Sequence, residues 1–297
     1  MNVSNFTLNI RGIERRFDGP QVMGIINVTP DSFWEGSRMG SDTDRIRARA
    51  VQVLAEGGTM LDVGAYSTRP GAPDVSPQEE LDRLALALRS IREEVGAEVP
   101  VSVDTFRADV AETCIRELGA DIINDISGGT LDARMASVVA STGAPYILMH
   151  MRGTPQDMQQ HTDYPEGVTE AVRRFFGQQI SQVEVEAASF GGQEYATLMR
   201  RQIILDPGYG FAKTLEQNYE LMKGLPRLKE AYSEFPILVG ISRKSMIYRL
   251  LGADPAHALN GTTVLNTFAL GCGANILRVH DVREAVEAVR ITQMLAD

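Results

Sequence analysis

Cysteine is nearly missing from this chain. Cys114 and Cys272 stand alone and no CxxC spacing occurs, so no disulfide framework is expected and both thiols read as buried groups in a reducing compartment. Positive charge is short as well: 29 Lys and Arg face 39 Asp and Glu, for a net charge of −10. That balance argues against nucleic acid or an anionic membrane surface as a partner, although a cleft of local positive sign can still take a small anion. Apolar runs never reach the ~20 residues of a membrane span. The opening MNVSNFTLNIRGIERRF has no long apolar core and is interrupted by arginines, so no signal peptide is expected and the chain reads as cytoplasmic. No segment rich in Pro, Gly or Ser offers a linker, which leaves a single domain over 1–297.

What is present is an alternation. The apolar fraction of 43% and the charged fraction of 23% are those of a globular protein, and a chain of this length buries roughly three-quarters of its unfolded surface. Eight short apolar runs recur at 22–28, 60–65, 99–105, 121–127, 145–151, 202–208, 236–242 and 274–280. Most are rich in Val and Ile at consecutive positions, as strands buried on both faces are. Between and after them come stretches of helical periodicity at 42–56, 77–94, 108–118, 132–141, 165–189, 215–232, 259–271 and 281–295. Gly57-Gly58, Gly119 and Gly143 follow three of these, where a helix ends in a left-handed residue. Eight strand–helix units predict a (β/α)8 TIM barrel rather than an open doubly wound sheet, which has fewer units and a glycine-rich dinucleotide turn after its first strand. The segments 6–11 and 14–17, joined by Gly12-Ile13, predict a β-hairpin that closes the bottom of the barrel.

In such a barrel the reactive groups lie at the C-terminal strand ends. Each run here delivers a polar group to that mouth: Asn27; Asp62 with Ser67-Thr68-Arg69 beyond it; Asp104; Asn124-Asp125; His150; Asp206; Ser242-Arg243-Lys244; and Arg278 with His280. Any one of them could be a helix cap or an ion-pair partner. All eight together point to a site. The cations after the seventh and eighth runs fall where barrels hold phosphate, and Arg69 adds a planar fork for phosphate oxygens. Asp104, Asn124 and Asp206 offer hydrogen bonds to a flat, donor-rich heterocycle. The two sides together suit a ligand that joins an anionic leaving group to a polar ring.

Seven motifs carry a resemblance to the dihydropteroate synthase family over nearly the whole chain. They are MGIINVTPDSFWEGS at 23–37, LDVGAYSTRPGA at 61–72, VPVSVDT at 99–105, DIINDISGG at 121–129, ILDPGYGFAK at 204–213, GISRKSMI at 240–247 and ILRVHDV at 276–282. The family joins p-aminobenzoate to 6-hydroxymethyl-7,8-dihydropterin diphosphate and releases pyrophosphate. The resemblance implies that Asp104, Asn124, Asp206 and Lys244 hold the pterin. It implies that Asn27, Arg278 and His280 bind the diphosphate, with Asn27 also reaching Mg²⁺, the implied cofactor. Thr68, Arg69, Phe211 and Ser245 would frame the p-aminobenzoate pocket, and Asp31 would close over the diphosphate on a mobile loop. Asp31, Lys244, Arg278 and His280 are thereby the catalytic candidates, and a homodimer through the later helices, and sulfonamides as inhibitors, are implied too. Departures are Ala65-Tyr66 in place of Gly-Glu, Phe106-Arg107 after the third-strand aspartate, and Trp34.

Chemistry is consistent with the resemblance. An arylamine is unprotonated at neutral pH, so the difficult step is loss of pyrophosphate, which cations stabilise. A dissociative displacement without a covalent enzyme intermediate is expected. Three rival readings differ in kind: a Schiff-base aldolase using Lys244 or Lys213, a pterin-dependent methyltransferase, and a non-catalytic binding module. The carboxylate wall opposes the first, and the paired cationic segments oppose the second. The complete set of polar strand ends opposes the third. His161 and His257 receive no role, and Met149 is a candidate for the pterin face.

Overall fold

The computed structural model describes residues 5–28, 39–67 and 74–295. Alternation of apolar and polar residues makes an antiparallel hairpin of β1 (Phe6–Ile10) and β2 (Ile13–Phe17). Its turn is Arg11-Gly12, with φ of 53° and 80°, one residue earlier than expected. Two successive left-handed residues give the turn that matches the twist of the flanking strands. Phe6, Leu8 and Ile10 face the barrel and form one apolar cluster with Met23, Met60, Ile122, Ile147, Ile204, Leu238 and Ile276, one from each of seven barrel strands. The hairpin thus closes the bottom as anticipated.

The barrel strands are β3 (Gln21–Asn27), β4 (Met60–Gly64), β5 (Val101–Asp104), β6 (Ile122–Asp125), β7 (Tyr146–Met149), β8 (Ile203–Asp206), β9 (Leu238–Val239) and β10 (Ile276–Val279). Neighbours pair in parallel in the order β8-β7-β6-β5-β4-β3-β10-β9, and a parallel bridge between Leu205 and Ile237 joins the two ends. Helices cover the outside, as the hydrophobic periodicity requires. The helix Leu215–Ala231 begins with a reciprocal cap: Gln217 N–H donates to Thr214 Oγ1 at 3.2 Å and Thr214 N–H to Gln217 Oε1 at 2.9 Å, satisfying two end donors. Among the described residues, no helix is long and apolar enough to cross a membrane.

Two elements differ from expectation. The seventh barrel strand keeps only two ladder residues, because 241–244 close into a turn (Lys244 N–H to Ile241 C=O, 3.1 Å) that leads into the short helix Ser245–Tyr248. The segment expected at 165–189 continues as Val168–Arg200, with a break in helical conformation at Gly191 and Gly192.

Candidate active site

Parallel register builds the mouth. Asn27 lies opposite Gly64, Gly64 opposite Asp104, and Asp104 opposite Asn124, so one row of four positions crosses β3 to β6. Gly64 keeps that row open, since a side chain there would press on Asp104. Met149 lies opposite Asp206 on the next pair. A cleft of about 850 Å³ sits above this row, lined by Asn27, Asp104, Asn124, Asp206, Phe211, Lys244, Ser245, Arg278 and His280. Every candidate residue within the described segments therefore meets the same space. Met149, Tyr66 and Lys213 also line it. Asp31, Thr68 and Arg69, and Trp34 with them, lie outside the described residues.

Arg278 ties the two expected sides of the mouth together. Its Nε donates to Asp62 Oδ2 at 2.6 Å and its Nη2 to Asp104 Oδ2 at 2.7 Å, with Nη2 also in ion-pair contact with Asp62 Oδ2 at 2.5 Å. Burial works against the guanidinium charge, but Asp62 and Asp104 outweigh it and hold Arg278 protonated. Asp62 reads in the sequence as a charge inside an apolar run, outside the residues the resemblance implies. In the structure it is fully buried and also accepts from Asn124 Nδ2 at 3.2 and 3.3 Å.

Burial pushes the Asp104 carboxyl up to about 7, with Arg278 opposing and Asp62, Glu80 and Asp125 adding to the rise. Asp206 is also raised by burial, against the pull of Lys244 and of the Gly208 N–H that donates to its Oδ1 at 2.8 Å. Burial brings Lys244 down to about 8, opposed by the Asp206 charge. Its Nζ donates to Tyr209 C=O at 2.6 Å and stands 4.6 Å from the centre of the Phe211 ring, a cation–π contact. Burial and the Arg278 charge lower His280 to about 4, so it is a neutral ring at neutral pH. His280 Nδ1 lies 3.1 Å from Ser242 Oγ, and Arg49 Nη2 donates to the His280 carbonyl at 2.6 Å.

Other polar groups are engaged in structural contacts, Arg243 and Lys213 while also lining the cleft. Arg243, grouped by sequence with the phosphate side, grips Asp281 with Nε and Nη2 at 2.8 Å each and caps the carbonyls of Pro255 and Ala256. Asp125 accepts from Ser127, Gly129 and Tyr146. Lys213, buried, donates to Gly208 C=O at 2.8 Å and Phe211 C=O at 2.9 Å, and its Nζ lies 3.0 Å from His150 Nδ1. Burial drives both Lys213 and His150 well below their ordinary values. Gly208, at φ 72°, packs so closely on His150 that any side chain would run into its carbonyl.

Of the departures, Tyr66, Phe106 and Arg107 gather in one place. Tyr66 meets Phe106 edge-on with ring centres 5.1 Å apart, and the Arg107 guanidinium lies 5.3 Å from both rings. Tyr66 O–H donates to Asp74 at 3.0 Å and accepts from Gln156 at 2.7 Å. His161 and His257 pair with nearby Asp157 and Asp254 on the surface.

A parallel eight-stranded barrel with carboxylates and an amide on one wall, and Lys and Arg at the same mouth, has the architecture of a pterin-binding enzyme, and residues 23–280 match the family model described as pterin binding enzyme. Dihydropteroate synthase from Synechocystis is 42% identical over 275 residues, 92% of this chain and 89% of the relative. That of Escherichia coli is 42% identical over 279 residues, 92% and 91%. The chain belongs to the dihydropteroate synthase family and is a transferase of folate synthesis. Among solved structures, Yersinia pestis dihydropteroate synthase with a sulfonamide drug superposes with a TM-score of 0.83 at 37% identity, covering 98% of this chain and 99% of that one. The Xanthomonas albilineans enzyme with 4-aminobenzoic acid gives 0.83 at 33% identity, covering 99% of each.

Proposed function

We propose that this mouth condenses p-aminobenzoate with 6-hydroxymethyl-7,8-dihydropterin diphosphate by a dissociative displacement, with the residue roles that follow. The observation that carries the reading is the joint presence, in one cleft, of Asp104, Asn124 and Asp206 beside Lys244 and Arg278. Asp104 and Asp206 accept from the ring, the Asn124 amide meets its edge, and Lys244 donates to it. The C–O bond to the diphosphate breaks with both electrons leaving on the diphosphate. The amine nitrogen forms the new C–N bond, and its proton leaves to solvent. Arg278 answers the departing charge, and His280 adds a hydrogen bond as a neutral ring. Asp104 and Asp206 hold the cationic methylene pterin between the two events.

Asn27 supplies an amide oxygen at the rim, a hard donor that suits Mg²⁺, an ion that takes few protein ligands beside phosphate oxygens and water. Bound there, the ion would neutralise part of the diphosphate charge. Asp31 closing over the diphosphate, and Thr68 and Arg69 with Phe211 and Ser245 framing the arylamine, belong to the same proposal. So does a reducing, cytoplasmic setting, supported by the free thiols of Cys114 and Cys272.

A second copy of the chain covers an apolar face. Val264, Phe268 and Ile291 are 59%, 46% and 62% exposed on the adjacent helices Leu259–Gly271 and Val282–Met294. A groove of about 510 Å³ runs between the two. That supports a homodimer.

The test is pyrophosphate release on mixing the pterin diphosphate, p-aminobenzoate and Mg²⁺, repeated with Lys244→Ala and Arg278→Ala. Loss of at least ~100-fold in each is expected, the cost of one preorganised contact. Full activity in both, or a covalent pterinyl-enzyme adduct by mass spectrometry during turnover, would overturn the assignment.

A further inference from the structure

Asp62 does not open onto the cleft. It lies on β4 two residues before Gly64, one layer beneath the row of Asn27, Gly64, Asp104 and Asn124. Its Oδ2 accepts from Arg278 Nε and is in ion-pair contact with Nη2, and both its oxygens lie 3.2–3.3 Å from Asn124 Nδ2. A carboxylate paired with a guanidinium can only accept. Of the two orientations open to the Asn124 amide, it therefore admits the one with the NH2 group turned down to Asp62. The reverse would set the amide carbonyl against the carboxylate, two acceptors in a buried place.

The amide nitrogen carries two N–H groups; with one given to Asp62, the amide oxygen and the second N–H are offered to the ring side by side, as an acceptor and a donor in a fixed order. We infer that Asp62 is a positioning residue for ring specificity: through Asn124 it selects an aminopyrimidine edge over the 2-oxo edge of otherwise identical shape. In the 2-amino ring an exocyclic N–H donor sits beside an unprotonated ring nitrogen. In the 2-oxo ring an acceptor sits beside a ring N–H, so the order is reversed. A site whose buried groups are held in one order rejects the reversed one strongly, because the mismatch leaves polar groups unpaired. Arg278 is oriented by the same carboxylate, so one buried group sets the ring-reading amide and the cation together. The inference rests on the pterin reading of this cleft.

The experiment measures kcat/KM of the full chain with 6-hydroxymethyl-7,8-dihydropterin diphosphate and with its 2-oxo counterpart, for the unmodified protein, Asp62→Asn, Asn124→Ala and the double variant. The unmodified protein is expected to favour the 2-amino substrate by roughly 10⁴-fold. Asp62→Asn can donate as well as accept, which frees Asn124 to turn over, and the preference falls by about tenfold or more. In the Asn124→Ala background the same substitution leaves the preference unchanged. A fall of both substrates together at constant preference would mean a merely structural role and would overturn the inference. So would an equal effect of Asp62→Asn with and without Asn124. If thermal melting shows Asp62→Asn unfolded, Asn124→Ala decides: a collapsed preference supports the inference, an unchanged one overturns it. An unmodified protein that turns over neither substrate contradicts the pterin reading itself, whereas one that turns over both without preference contradicts only the role of Asp62.

Discussion

Arg278 and Asp104 hold each other across the barrel mouth, Nη2 to Oδ2 at 2.7 Å. The group assigned to the diphosphate and a group assigned to the ring are therefore one electrostatic unit, and a change at either is felt at the other.

The pH dependence follows from that unit and from Lys244. Asp104 is raised to about 7 and Lys244 lowered to about 8, in both cases chiefly by burial. Activity needs the first ionised to accept from the ring and the second protonated to donate, so kcat/KM should trace a narrow bell between those values. Arg278→Gln removes the charge that opposes the rise at Asp104 and should move the acid limb to higher pH. Stability has its own sign. A folded-state value above the unfolded one makes the Asp104 contribution full below about 4 and lost as pH rises through about 7. Asp104→Asn should flatten that loss in denaturant titrations at several pH values. An unchanged slope would contradict the assignment.

His280, lowered to about 4 by burial and by Arg278, contributes a hydrogen bond rather than a charge. Glutamine can supply a neutral donor of similar reach. His280→Gln should reduce kcat/KM by less than about tenfold and His280→Ala by more, the range of one neutral hydrogen bond. Steady-state kinetics above pH 7 distinguish the two; equal loss in both variants would mean that the imidazolium is required.

Lys213 anchors the loop that carries Phe211 and the Tyr209 carbonyl that holds Lys244. Lys213→Met leaves two carbonyls and the His150 nitrogen without a partner in a buried place. A loss of about 2–4 kcal/mol in urea unfolding is expected, together with a higher KM for the pterin substrate. Unchanged stability would show that the loop does not depend on this staple.

The exposed face of Val264, Phe268 and Ile291 gives a prediction about assembly. Phe268→Glu should shift sedimentation from dimer to monomer, because a carboxylate cannot be buried unpaired at an apolar interface. A monomeric unmodified protein would remove the proposal.

Much of this molecule is legible in its residues. Consecutive Val and Ile in eight short runs mark strands buried on both faces, and the rule that barrels react at strand ends picks out Asp104, Asn124, Asp206, Lys244, Arg278 and His280 without any coordinates. Asp62 was harder. A carboxylate in the middle of MLDVG is a signal that something must pair with it, but sequence does not say what, since Arg278 is 216 positions away. Arg243 misleads for the same reason. It lines the cleft beside Ser242 and Lys244, but a left-handed backbone at φ 54° goes with a guanidinium that is held by Asp281.

Local sequence determined what depends on neighbours along the chain: the period of each element, the Thr214–Gln217 cap, and which strand ends carry polar atoms. Only the tertiary structure decided which of those atoms compete. A guanidinium takes whichever carboxylate closure of the barrel brings within reach. Register across β3 to β6, set by backbone hydrogen bonds between distant segments, decided that Asn27, Asp104 and Asn124 share one row above Asp62.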